Sequence, residues 1–278
     1  MVMIAAVGHA LWNVAARQVA GDIAVLWLSF ALGTLAMLPP CIYLWWQNGP
    51  PLLTEAALLC LLATGLLHAA YFALLAWAYE TGEVSLVYPI ARGSGVGLTA
   101  LGGIALLGET VTPSGGTGIG LVLIGIGLIG IPALRSAQAQ RRSFVLALAV
   151  GLSIVAYSLV DKIGVGHMHP IYYITGMWLL GSLIRWPSVW LRRRGTMWQT
   201  ARTHYRHIAF IGLGSLGTYL IILYAYTLGP VSYIVAARES SVVIGSLIGF
   251  FFLHEKYTPL KLVGVLSIGA GLALIKVG

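Results

Sequence analysis

Apolar runs of membrane-spanning length recur along the whole chain, with short polar connections between them. A bilayer core about 30 Å thick needs about 17–25 residues of helix. The spacing predicts spans at 2–19, 24–46, 56–79, 84–108, 114–133, 144–162, 171–190, 207–228, 231–253 and 259–277. The expected fold is therefore all-α and integral to the membrane, with ten transmembrane helices and no separate soluble domain.

Polar positions inside these runs are few, and Arg92, Arg185 and Arg238 are among them. Arg92 and Arg238 each lie about 12 Å into a span at 1.5 Å per residue. A charge there costs roughly 2.5–3.5 kcal/mol and commonly marks function. Their surroundings are related: "GEVSLVYPIARGS" and "GPVSYIVAARESS". Gly82-Glu83-Val84-Ser85 matches Gly229-Pro230-Val231-Ser232, Glu109 matches Glu255, Thr112-Pro113 matches Thr258-Pro259, and Gly118 matches Gly264. A one-residue difference falls beside Pro89. The chain reads as two repeats, 1–134 with helices 1–5 and 143–278 with helices 6–10. Five helices per repeat is odd, so the repeats insert in opposite orientations, the inverted-repeat arrangement of secondary transporters.

Composition agrees with a membrane protein: 59% hydrophobic and 9% charged residues. A soluble domain carries about 25% charged residues. No cleavable signal is expected, since the first apolar stretch lacks a basic leader and runs into Trp12, Asn13 and Arg17. The formal charge of +8 sits in loops, where it reports orientation rather than nucleic-acid binding. Loops 5-6 and 7-8 hold Arg135, Arg141, Arg142, Arg192, Arg193, Arg194, Arg202 and Arg206. That places them in the cytoplasm of an inner-membrane protein and both termini outside. Cys41 and Cys60 read as small core residues, and no metal cluster or cofactor motif is expected.

The remaining polar residues define a candidate site. Pro89 is expected to break helix 4 inside the membrane, and Tyr88 and Arg92 share a helix face. Arg238 and Glu239 are adjacent, so they point about 100° apart and each needs another partner. Glu239 is a candidate proton-coupling carboxylate; the alternative is a fixed counter-ion to Arg92 or Arg238. His9, Trp12 and Asn13 form a polar stripe in helix 1. His68 and Tyr71 share a face of helix 3, and Tyr157 and Asp161 a face of helix 6. Asp161 is a second proton-coupling candidate; the alternative is a contact with Lys162 or interfacial water. Tyr219 lines a cavity or packs. Glu109 and Glu255 read as repeated structural turns. "GIGLIG" and "GLGSLG" fit a dinucleotide pattern but lie inside spans, where small residues serve close helix packing.

"HALWN" at 9–13, "AYETGEVSLVYPIARG" at 78–93, "LGETVTP" at 107–113 and "AARESSVV" at 236–243 resemble the EamA-like family of the drug/metabolite transporter superfamily. The similarity covers the whole chain as two EamA repeats. It implies ten helices, a central cavity from helices 1, 3, 4, 6, 8 and 9, and alternating access, mostly in export of small metabolites. The cavity helices then carry His9, Asn13, His68, Tyr71, Tyr88, Arg92, Tyr157, Tyr219, Arg238 and Glu239. The resemblance also implies cytoplasmic termini, the reverse of what the basic loops predict.

The reading is a non-enzymatic secondary transporter, a monomer or homodimer in the bilayer, for a small anionic or zwitterionic metabolite. Arg92 and Arg238 would hold carboxylate or phosphonate oxygens, with Tyr88, Trp12 and Asn13 shaping the pocket. Protons are one candidate coupling ion and uniport is equally allowed. A lipid-head-group flippase and an intramembrane enzyme are the alternatives; no nucleophile, base or metal motif favours the last.

Overall fold

A computed structural model describes residues 1–19, 22–81, 84–136, 141–244 and 258–277. Among these the chain is helix and turn, without a strand. The helices are α1 (Val2–Gln18), α2 (Ile23–Ala36), α3 (Leu38–Asn48), α4 (Glu55–Thr81), α5 (Val84–Leu107), α6 (Pro113–Ser136), α7 (Arg141–His167), α8 (Pro170–Arg193), α9 (Met197–Thr203), α10 (Tyr205–Leu228), α11 (Val231–Arg238) and α12 (Pro259–Val277). Helical backbone also covers 240–244.

Local chemistry sets many of the ends. Asp22 accepts from Ala24 N at 2.9 Å and caps α2. Pro39 and Pro40 lie in the first turn of α3, where missing N–H groups cost little. Thr112 Oγ1 accepts from Gly115 N at 3.1 Å, with Pro113 opening α6. Thr258 Oγ1 accepts from Lys261 N at 3.3 Å, with Pro259 opening α12. The repeated Thr-Pro is thus a repeated cap. Gly108 stops α5 with φ +65°, a conformation only glycine adopts cheaply. His169 caps α8 through Nδ1, which accepts from Ile171 N at 3.3 Å. Partial burial pushes this imidazole's pKa down, toward the neutral form that can accept.

Among the described residues, seven stretches are long and apolar enough to cross a membrane, fewer than the ten expected. The expected spans 2–19, 171–190 and 231–253 are not among them. Helix α1 has 17 residues. Helix α8 carries Arg185, whose guanidinium lies 4.9 Å from the Phe30 ring centre. Helix α11 stops after 8 residues, and 245–253 lie outside the described residues, as does Glu255.

Two compact units form. One comprises Met1, Met3–Ala69 and Val160–Thr227; the other Val2, Ala70–Leu159 and Leu228–Gly278. Each takes residues from both halves of the sequence. In the first, α2 packs on α8. Trp27 Nε1 donates to Ser182 O at 2.9 Å. Gly33 lies against the Trp178 ring, where an added Cβ would sit 2.2 Å from it. Helix α1 meets α10 at Gly8 against Thr218 and at Trp12 against Gly214.

In the second unit, α6 and α12 form the closest seam. A Cβ on Gly118 would lie 2.6 Å from Gly271 O, and one on Gly125 would lie 2.5 Å from Gly264 O. Contacts that pair 118 with 271 and 125 with 264 make the helices antiparallel. The shift of 146 residues that relates the repeats exchanges these two contacts. Ser267 Oγ donates to Leu121 O at 2.9 Å, and these two residues are themselves 146 apart. A local two-fold axis therefore passes between α6 and α12, perpendicular to both. The glycine strings serve close helix approach here, as small residues do in membranes.

Candidate functional site

The second unit holds a buried ion pair. Arg92, in α5, sends Nη2 to Glu239 Oε1 at 2.9 Å. Its Nε donates to Oε2 at 3.2 Å. The fork is bidentate, the geometry a guanidinium and a carboxylate favour most. The side chains are 11% and 2% exposed. Arg238 also acts electrostatically on Glu239. Glu239 is thus ion-paired with Arg92.

The backbone around Glu239 departs from expectation. Pro89 was expected to break its helix, yet α5 runs through it from Val84 to Leu107. Its ring is accommodated by Gly130, where a Cβ would lie 2.7 Å from Pro89 Cβ. The interruption falls in the other repeat. Helix α11 ends at Arg238, and Glu239 N turns back to Ala236 O at 3.1 Å. Helical backbone resumes at 240. The hydroxyls of Ser240 and Ser241, both buried, lack a hydrogen-bond partner among the described residues. In the sequence their signal is two small polar residues directly after a charged pair in a span.

Glu109 holds the front of α11. Its carboxylate accepts from Val231 N, from Ser232 N at 3.2 Å and from Ser232 Oγ at 2.7 Å. Tyr233 OH accepts from Thr112 N at 2.9 Å. The bonds from Val231 N and Ser232 N satisfy first-turn N–H groups of a helix too short to be stable alone, and the Thr112–Tyr233 bond ties that helix to the turn before α6. The turn read as purely structural thus positions the helix that presents Arg238 and Glu239. The same unit brings Tyr71 and Tyr157 together, ring centres 5.7 Å apart and edge to face.

The first unit holds a different cluster. Asp161, in α7, is fully buried. Tyr173 OH donates to Oδ1 at 2.9 Å, and Tyr219 OH donates to Oδ2. His68 stands edge-on to Tyr219 at 5.6 Å, and its Nδ1 lies 3.1 Å from Thr64 Oγ1. Lys162 Nζ turns instead to Tyr226 O. His9 and Trp12 pack edge to face at 5.0 Å. Trp12 Nε1 is buried with no hydrogen-bond partner among the described residues. The side chains of Tyr88 and Asn13 lie outside the described residues.

Two cavities have linings that include neither Arg92 and Glu239 nor Asp161. One of about 270 Å³ runs beside Pro89 between α5 and α6, lined by Ile90, Gly93, Leu123 and Ile126. Another of about 310 Å³ lies near Asn48 and Tyr172. Among the described residues no group of His, Cys, Asp and Glu is placed to hold a metal ion.

The model of the EamA-like transporter family matches residues 1–131 and again 141–277. A solved structure described as "Crystal structure of protein" superposes with a TM-score of 0.72 over 99% of this chain and 94% of its own, at 14% identity. That likeness is one of fold. No curated protein matches the chain.

Proposed function

The chain belongs to the EamA-like transporter family, and from that premise we propose a secondary transporter for a small anionic or zwitterionic metabolite. The membership makes it a multi-pass membrane transporter of the drug/metabolite superfamily. The observation carrying the finer reading is the Arg92–Glu239 fork beside a helix interruption. Interrupted helices are where inverted-repeat transporters bind substrate, and here the second repeat alone carries the interruption among the described residues. An anionic group would displace Glu239 from Arg92. A zwitterion does this without leaving a bare charge, because its ammonium then meets Glu239. The orphaned hydroxyls of Ser240 and Ser241 add polar atoms at the same turn.

The symmetric seam of α6 and α12 supports inverted repeats, since its axis is perpendicular to both helices. In the proposed topology ten spans cross the membrane, α1, α8 and the α11 region included, with repeats at 1–134 and 143–278. Basic loops 5-6 and 7-8 face the cytoplasm. Alternating access moves the substrate through a central cavity, in the direction of export.

The test is uptake by proteoliposomes of labelled alanine, as a zwitterionic probe, and labelled phosphonoacetate, as an anionic one. Saturable uptake of either that disappears in Arg92→Ala and falls in Arg92→Lys is expected. Saturable uptake unchanged in both variants would refute the site.

A further inference from the structure

We propose that Asp161 is a proton-binding site that couples proton movement to transport, with Tyr173 and Tyr219 as the hydroxyl switch around it. The coupling half of this inference rests on the transporter reading; the proton site itself does not.

Asp161 is fully buried in α7, and neither phenol donating to it carries a charge. A carboxylate so placed keeps its charge only through the hydrogen bonds it accepts. Titratable and polar groups on neighbouring elements stand near it or near its partners. Helix α4 supplies Cys60 and His68, α8 supplies Tyr173, α10 supplies Tyr219 and Tyr226, and α7 supplies Lys162, whose ammonium goes to the Tyr226 carbonyl. Both carboxylate oxygens are already occupied by hydroxyls.

The hydroxyls can accommodate that proton. Tyr173 OH lies 2.9 Å from Asp161 Oδ1 and 3.4 Å from the Cys60 carbonyl. With Asp161 ionised, the phenolic hydrogen points to Oδ1. When Oδ1 takes a proton, the new O–H donates to the Tyr173 oxygen, and the phenolic hydrogen turns to Cys60 O. No bond other than that of the transferred proton is made, and the site goes from one negative charge to none. Tyr219 continues to donate to Oδ2, now a carbonyl oxygen. Each state satisfies every hydroxyl, so neither is penalised by an orphaned donor. Glu239 differs, since protonating it would neutralise the carboxylate that the Arg92 fork meets.

The experiment is acid-minus-alkaline infrared difference spectroscopy of the full-length protein in liposomes, with the proton as probe. The wild type is expected to gain a carboxylic-acid carbonyl band that is lost in Asp161→Asn and kept in Glu239→Gln. Tyr173→Phe and Tyr219→Phe should keep the band but shift it, a readout that needs no substitution at Asp161. A band that persists in Asp161→Asn, or that never forms, overturns the site. Coupling is read in pyranine-loaded vesicles with alanine and phosphonoacetate. Asp161→Asn should retain counterflow of the transported probe and lose its proton movement; proton movement equal to wild type overturns coupling. Absence of wild-type counterflow with both probes counts against the transporter reading alone, because the infrared result still decides the proton site.

Discussion

Asp161, in α7, and Glu239, at the end of α11, are buried to nearly the same degree, yet their charges are handled differently. Glu239 meets a guanidinium in a bidentate fork. Asp161 meets two phenols. The first arrangement neutralises charge with charge. The second leaves the charge in place, held by neutral groups that can reorient. The backbone differs in the same sense: Asp161 sits in an unbroken helix of 27 residues, Glu239 where a helix of 8 residues stops. Identical chemistry thus suits exchange of a proton at one place and exchange of a partner at the other.

The largest expected effect separates them directly. Arg92→Ala and Glu239→Ala each remove one partner of a buried ion pair, at a cost of about 3–5 kcal/mol. Thermal and denaturant unfolding in detergent should register it. Equal costs for Asp161→Ala and Glu239→Ala would remove the distinction.

Next comes the frame that holds only the Glu239 unit. Gly125→Ala puts a Cβ 2.5 Å from Gly264 O and should cost about 1–3 kcal/mol by overpacking. Transport should fall with it, while the infrared band assigned to Asp161 stays in place.

How much of this was legible in sequence differs between the two sites. The repeat offset was readable from Gly118, Gly264 and the Thr-Pro caps, and the seam of α6 and α12 follows the same shift. Arg92 stood out because a charge in an apolar run is costly. Its partner was one of two open roles for Glu239, since residues 147 apart in sequence announce no contact. The interruption was expected at Pro89, where local rules favour a break. A proline removes one donor, and Gly130 gives its ring room, so α5 continues. At Glu239 no breaker residue marks the turn; the tertiary fork to Arg92 accompanies it. Asp161 looked like a helix-end carboxylate beside Lys162. Which side chains reach it depends on α8 and α10, and no spacing along α7 encodes them.

A third, smaller effect tests the hydroxyl switch. Tyr173→Phe and Tyr219→Phe each deprive one Asp161 oxygen of its donor, at about 1–3 kcal/mol. In an Asp161→Asn background the penalty should shrink, and a double-mutant cycle measures the difference. Asp161→Asn alone should change stability by about 1 kcal/mol or less, because an amide keeps an acceptor and removes the buried charge. The smallest expected effect is a control on acid titrations. His169 caps α8 only when neutral, and its pKa is lowered by partial burial. Its contribution is present above the unfolded histidine's pKa and is lost as pH falls through the lower folded value. His169→Asn, which caps without titrating, should flatten that slope and leave any pH effect of Asp161 exposed.

The charge-swapped protein Arg92→Glu/Glu239→Arg tests the central claim most directly, through uptake of alanine and phosphonoacetate at matched amounts of inserted protein. The fork can re-form in reverse, so folding should be largely restored relative to either single variant. The account predicts that saturable uptake is nevertheless lost, since the guanidinium that receives the anion has moved to the other side of the pair. Uptake at the wild-type level by the folded, swapped protein would contradict it, and would make Arg92 and Glu239 a structural pair.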